Sequence, residues 1–181
     1  MPVVQQENPE ARMRALEEEN ARLKTEIKRL EEIATKDPLT GLDNRRGLKE
    51  KTENTGRPPR EGKEQRGEKQ KPTTVLILDI DNFKTVNDVY GHDAGHKVIQ
   101  NAADTLKKLI RHGHGDEISR WGGEEFVVIF RNATAQDIIN KFHKGRDISG
   151  LSFNTKIGEE EMGITFSGGV VAGLVTAVVN G

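Results

Sequence analysis

Three carboxylates and a pair of glycines carry the clearest chemical signal in this sequence. Glu124 and Glu125 follow Gly122 and Gly123 in the run Arg120-Trp121-Gly122-Gly123-Glu124-Glu125-Phe126, and the apolar stretch Val127-Val128-Ile129-Phe130 comes straight after. Adjacent glycines take the positive φ angles of a tight two-residue turn. The spacing therefore predicts a strand over Ile118 to Trp121, a turn at the glycines and a second strand. Acids on such a tip suit a hard cation, where Asn or Lys would merely solubilise the turn. Asp79 supplies a partner, since it closes the apolar run Val75-Leu76-Ile77-Leu78, which reads as a strand buried on both faces. With the two strands side by side, Asp79 and Glu124 converge on one or two Mg²⁺ ions, or Mn²⁺, that keep waters and recruit substrate phosphates. That is the arrangement used for phosphoryl and nucleotidyl transfer. Each acid taken alone reads as readily as a solvated charge at a strand end.

The elements that must position these acids follow from periodicity. From Ala11 to Ala34 nearly every residue is a helix former, with Met13, Asn20, Ile27 and Ala34 in one heptad register and Leu16, Leu23 and Leu30 three residues on. This is the seam of a two-stranded coiled coil, and an Asn at an a position favours a parallel register; a solvated single helix is the other reading. Asp37-Pro38 ends the helix near Lys36, because the residue before proline is pushed out of the α region. Asn44 to Lys49 open a helix, but residues 50–71 hold hardly an apolar side chain and several Gly and Pro, the composition of a polar, flexible segment. After the Asp79 strand a loop is expected through Gly91, then a helix capped by Asp93, with Val98, Ile99, Ala102, Ala103, Leu106, Leu109 and Ile110 on one stripe. A further helix over Ala135 to Lys144 buries Ile138, Ile139 and Phe142, and Met162 to Ala172 read as a strand. Strand, helix, hairpin, helix, strand is the β-α-β-β-α-β order of a ferredoxin-like α+β domain.

Several ordered blocks carry a family resemblance. Asp37-Pro38-Leu39-Thr40-Gly41-Leu42, Asn44-Arg45-Arg46, Asp79-Ile80-Asp81-Asn82-Phe83-Lys84, Asn87-Asp88, Gly91-His92, Gly122 to Phe126 and Ser167-Gly168-Gly169-Val170 stand in the order of the GGDEF family of diguanylate cyclases. The stretch from Asp37 to about Ala172 resembles that family. The resemblance implies a sheet with helices on one side, similar to the palm of polymerases and nucleotide cyclases. It implies a GGDEF domain over residues 37–181, and the heptads ahead of it predict a helix over residues 1–36 that pairs two copies. It also implies a reaction in which two GTP molecules on facing domains become cyclic di-GMP and two pyrophosphates, in a Mg²⁺-dependent homodimer serving bacterial second-messenger signalling. By resemblance Asp79, Glu124 and the Ile80 carbonyl hold metal, Lys84 contacts triphosphate, Glu124 helps remove the hydroxyl proton, and Phe83, Asn87, His96, Gly122 and Gly123 line the substrate. Taken alone, Lys84 is a surface amine, and the glycines serve the turn as well as letting a base or ribose approach.

The sequence departs from the family at three places. Where the family's guanine-binding acid is expected, after Gly91-His92-x-x-Gly95, stands His96; a neutral imidazole offers one acceptor against the two N–H donors of guanine. Loss of a hydrogen bond to a charged group costs about 1.5 to 3 kcal/mol, so weaker or less selective GTP binding is expected, with ATP use as a consequence. The family's inhibitory Arg-x-x-Asp motif keeps only Asp116, with Gly113 in the arginine position and Arg111 out of register, so no product inhibition is expected there. The family's helix after Val170, with its Ala-Asp and Tyr-x-Ala-Lys blocks and closing Gly-Arg-Asn, is missing before Gly181, and with it the Lys and Arg of a phosphate clamp. The alternative these departures support is a degenerate domain that binds nucleotide or dimerises without turnover. His92 with His96, and His112 with His114, are weak candidates for a transition-metal pair.

Composition narrows the partners. The 181 residues carry a formal net charge of -1 with a pI near 6.5, which gives no global field for nucleic-acid polymer or anionic membrane. With no cysteine there is neither a disulfide nor a thiolate metal site. No signal peptide is expected at the start, and Gly163 to Gly181 is too glycine-rich for a membrane segment. A cytoplasmic protein is expected.

Overall fold

The computed structural model describes residues 8–55, 72–142 and 151–172. The chain divides into two units, Met1–Ala34 and Thr35–Gly181. The first is occupied by α1 (Pro9–Thr35), a helix with no buried residue. Met13, Leu16, Leu23, Ile27 and Leu30 are all exposed along it. The Asn20 side chain donates to the Leu16 carbonyl at 2.9 Å, and Arg29 forms a bidentate pair with Glu26. Both are local contacts within one exposed helix and bring no burial with them.

The second unit is built on a five-stranded sheet. Its elements run α2 (Arg45–Thr55), β1 (Thr73–Ile80), α3 (Phe83–Tyr90), α4 (His92–Lys107), β2 (Glu117–Gly122), β3 (Glu125–Arg131), α5 (Ala135–Phe142), β4 (Ser152–Ile157) and β5 (Glu160–Ala172). The strand order is β2-β3-β1-β5-β4, with every neighbouring pair antiparallel. Alternation along the central β1 sends Leu76, Leu78 and Ile80 into the larger core, with Val98, Ala102 and Leu106 of α4 and Phe126 and Phe130 of β3. Val75 faces the other way and packs with Val127, Ile129, Trp121 and Leu48 of α2. Full burial of a side chain such as Leu48 is worth about 1.5 to 3 kcal/mol, so α2 covers part of the second face. Helices therefore lie on both faces rather than on one.

Other expectations shift in detail. The polar stretch from residue 50 begins helical, because α2 runs to Thr55 with Thr52 buried and bonded to the Lys49 carbonyl; residues 56–71 lie outside the described residues. The segment expected as a loop through Gly91 is mostly α3. It is only eight residues long, lacks a side-chain cap and fully buries only Val86. Asp93 does not cap α4; Gly91 does, at φ 80, and Asp93 sits in the first turn where it complements the helix dipole. Leu109 and Ile110 lie past the end of α4 yet still pack on the core. β4 went unforeseen because its inward positions are Phe153 and Thr155, and the polar Thr155 hides the alternation; it accepts a bond from Asn101 at 2.6 Å. The α5 helix is described as far as Phe142, with Ile138 buried, and Lys144 lies outside the described residues.

Candidate active site

The hairpin differs from the simple two-glycine turn. Gly122 is still paired, opposite Glu125, and the turn itself is Gly123-Glu124, with Gly123 at φ +46. A register shift between Arg120 and Gly122 moves the turn on by one residue. Trp121, at the bulge, packs against the α2 side of the sheet with the Arg45 guanidinium 4.7 Å from its ring centroid. Around Gly122 and Gly123 the space is open: a β-carbon at either position would meet nothing within 4 Å.

The same register joins the acids. Asp79 pairs with Glu125 on one side and with Ser167 on the other, at the exposed end of β1. Burial pushes the Asp79 carboxyl above its ordinary range, and the negative charges of Glu124, Glu125 and Asp81 push it further. Asp81, one residue past β1, behaves in the opposite way. It accepts bonds from the Ser167 hydroxyl at 2.6 Å and from the Thr165 hydroxyl, and these hold its carboxyl below the ordinary range. The structure therefore brings together Asp79 and Glu124, as expected, and adds Glu125 and Asp81 to their surroundings. Among the described residues no three Asp, Glu, His or Cys side chains form a metal cage. Two repelling carboxylates with space around them suit a hard divalent ion that keeps waters and takes substrate phosphates.

A second group of expected residues sits on α3 and α4. Asn82 at φ 58 turns the chain out of β1, so that Phe83 and Lys84 open α3 directly after the Asp79 strand. Asn87 is half-buried, and its Oδ1 lies so close to Gly95 of α4 that a β-carbon there would collide with it; the Phe83 ring borders the same spot. His96 is the next residue of α4 and is exposed, as is Lys84. Gly95 thus lets the helix carrying Asn87 meet the helix carrying His96 closely. On the other flank of α3 an open cleft of about 300 Å³ lies against β5, lined by Asp81, Thr85, Val89, Tyr90, Met162 and Thr165. It does not include Asn87 or His96.

The position of the expected inhibitory motif is filled from within. Arg111 forms a bidentate pair with Asp116, both bonds 2.7 Å, and the backbone N–H groups of Arg111 and Arg131 donate to the same carboxylate. The Asp116 side chain has no exposed surface. Burial alone would raise its pKa, yet these bonds outweigh burial and hold the carboxyl below its ordinary value. Gly113, where an arginine was expected, sits at φ +77 with nothing near a β-carbon.

An antiparallel sheet with acids at the open ends of adjacent strands, backed by two helices that meet at a glycine, defines an α+β domain of palm type. The chain belongs to the GGDEF family, whose profile, described as "Diguanylate cyclase, GGDEF domain", matches residues 34–176. The response regulator PleD of Caulobacter vibrioides is 34% identical over 170 residues, which cover 86% of this chain and 36% of PleD. The chain thus spans well under half the length of that relative. Among solved structures, diguanylate cyclase SiaD from Pseudomonas aeruginosa, in complex with its activator SiaC, has a TM-score of 0.64 at 30% identity, covering 94% of this chain and 64% of that one. The coiled coil and GGDEF domain of DgcB from Caulobacter crescentus, in complex with c-di-GMP, has a TM-score of 0.68 at 26% identity, covering 90% and 82%.

Proposed function

We propose that this chain is a diguanylate cyclase, joining two GTP molecules into cyclic di-GMP and releasing two pyrophosphates. The observation that carries the reading is the register that sets Asp79 opposite Glu125, next to the Gly123-Glu124 turn and its open glycine surface. In each half-reaction the 3′-oxygen of one GTP forms a bond to the α-phosphorus of the other. The bond to the β-phosphate oxygen breaks and pyrophosphate leaves with its electron pair. Glu124 receives the hydroxyl proton, directly or through water. Lys84 holds the triphosphate, Phe83 and Asn87 border the base, and Gly122 and Gly123 let the nucleotide approach the backbone. A bound Mg²⁺ or Mn²⁺, held by Asp79, Glu124 and the Ile80 carbonyl, would neutralise phosphate charge and acidify the attacking hydroxyl.

One domain supplies half of such a site, so two must face each other. The exposed apolar seam of α1 supports a parallel two-stranded coil as the device that pairs them, raising the effective concentration of one domain at the other. We place the protein in the cytoplasm as a second-messenger enzyme; among the described residues no helix is long and apolar enough to cross a membrane. A second reading, relaxed purine selectivity, is supported by the exposed His96 where the family's acid is expected beside Asn87. Substitution Glu124→Gln tests the cyclase reading. With GTP and Mg²⁺ it should abolish dinucleotide formation and leave the oligomeric state unchanged in sedimentation, whereas retained turnover removes Glu124 from the role given to it.

A further inference from the structure

The Arg120 side chain is only 15% exposed, and its contacts are unusual for a charge beside a hairpin turn. Nε and Nη2 both donate to one backbone oxygen, the Gly123 carbonyl, at 2.9 and 2.7 Å. Nη1 donates to Asp37 Oδ2 at 2.9 Å. Asp37 is itself fixed, since its other oxygen accepts the Thr40 N–H at 2.8 Å and the Thr40 hydroxyl at 2.6 Å, and its carbonyl accepts from Gly41 at 2.9 Å. The Arg120 backbone is held too, through its N–H to the Asp43 carbonyl at 2.9 Å.

We infer that Arg120 is a positioning residue for the reaction, with Asp37 as its anchor: together they set the Gly123–Glu124 peptide plane and so the placement of the Glu124 carboxylate. The Gly123 carbonyl belongs to the peptide bond that leads into Glu124. Rotation of that plane swings the Glu124 Cα, and Gly122 and Gly123, which lead into it, have no side chains whose packing could resist the swing. A planar fork with two donors on one oxygen restrains orientation as well as distance, which a single ammonium cannot do. An Arg whose only duty was to offset charge would serve equally well on a carboxylate. This one spends two of its nitrogens on a neutral carbonyl, at the turn where one of the two proposed catalytic acids begins.

The catalytic part of this inference rests on the cyclase reading, and its structural part does not. Arg120→Lys keeps the charge opposite Asp37 but loses the fork. Asp37→Asn keeps the fork but loosens its anchor. For Arg120→Lys, kcat for dinucleotide formation should fall about ten- to a hundred-fold, with KM for GTP within about two-fold, because the Arg120 nitrogens are engaged by the Gly123 carbonyl and Asp37. Asp37→Asn should show a smaller loss of the same kind. Hydrogen exchange, followed by mass spectrometry in the metal-free chain, should quicken in peptides spanning residues 121–126 in both variants and stay unchanged in β1. Unchanged exchange at the tip in both variants overturns the clamp, as does a fall in activity seen only together with faster exchange across β1. A wild-type chain that makes no dinucleotide would contradict the cyclase reading; the exchange comparison would then decide the clamp by itself.

Discussion

Asp79 is the residue at which folding and the proposed chemistry are set against each other. Its native pKa is raised by burial and by Glu124, Glu125 and Asp81. An acid whose folded value exceeds its unfolded one is destabilising where it is ionised, and the native state recovers that stability only as pH falls through the folded value. At neutral pH, Asp79→Asn should therefore raise the melting temperature of the metal-free chain by about 1 to 3 °C, abolish turnover, and remove any rise in melting temperature produced by Mg²⁺. A drop in the metal-free melting temperature would contradict the repulsion argument. Gly122 offers a complementary test. It has no neighbour within 4 Å of a β-carbon and its φ is not positive, so Gly122→Ala should fold with unchanged stability while raising KM for GTP, if the nucleotide lies against that backbone. The placement of these two residues was legible in the sequence, because an acid closing an apolar strand and a glycine pair before a second strand are local patterns. Arg120 was not, although it opens the same motif: its role depends on Asp37, which is remote in the chain, and no local pattern reports such a contact.

Elements explain what happened to the expected inhibitory motif. The sequence shows Asp116 without its arginine, but not that Arg111, past the end of α4, would close on it and be fixed further by the Arg131 carbonyl of β3. Asp116 thus ties the segment after α4 to the end of β3. Its folded pKa lies below the unfolded value of about 3.9, so its contribution is complete above that value and is lost as pH falls through the folded one. Asp116→Asn should cost about 3 kcal/mol at neutral pH and flatten the acid side of the stability profile, both read from urea unfolding across pH. Added cyclic di-GMP should leave turnover unchanged, and strong inhibition would show that Asp116 is available after all. The helices and strands with strong apolar stripes, α4 and β1 above all, were readable at the outset. α3 and β4 were not, because each buries few apolar side chains and β4 turns a threonine inward.

For the protein as a whole, the proposed reaction calls for two domains, and the seam on α1 is the proposed means of pairing them. The heptads predict that seam, and its apolar side chains are exposed in the single chain. Leu23→Asp, which puts a charge into a d position, should convert a dimer to monomer in sedimentation. At micromolar protein it should lower specific activity by about a hundred-fold, with activity then rising with concentration. Incubation of the purified wild-type chain with GTP and Mg²⁺, and separately with GTP plus ATP, followed by mass identification of any dinucleotide, bears most directly on the proposed reaction. Cyclic di-GMP from GTP alone is the expected product, and a mixed guanine–adenine product in the second incubation would assign selectivity to His96. A folded, dimeric chain that yields no dinucleotide in either incubation would contradict the cyclase reading and leave a nucleotide-binding or dimerising module in its place.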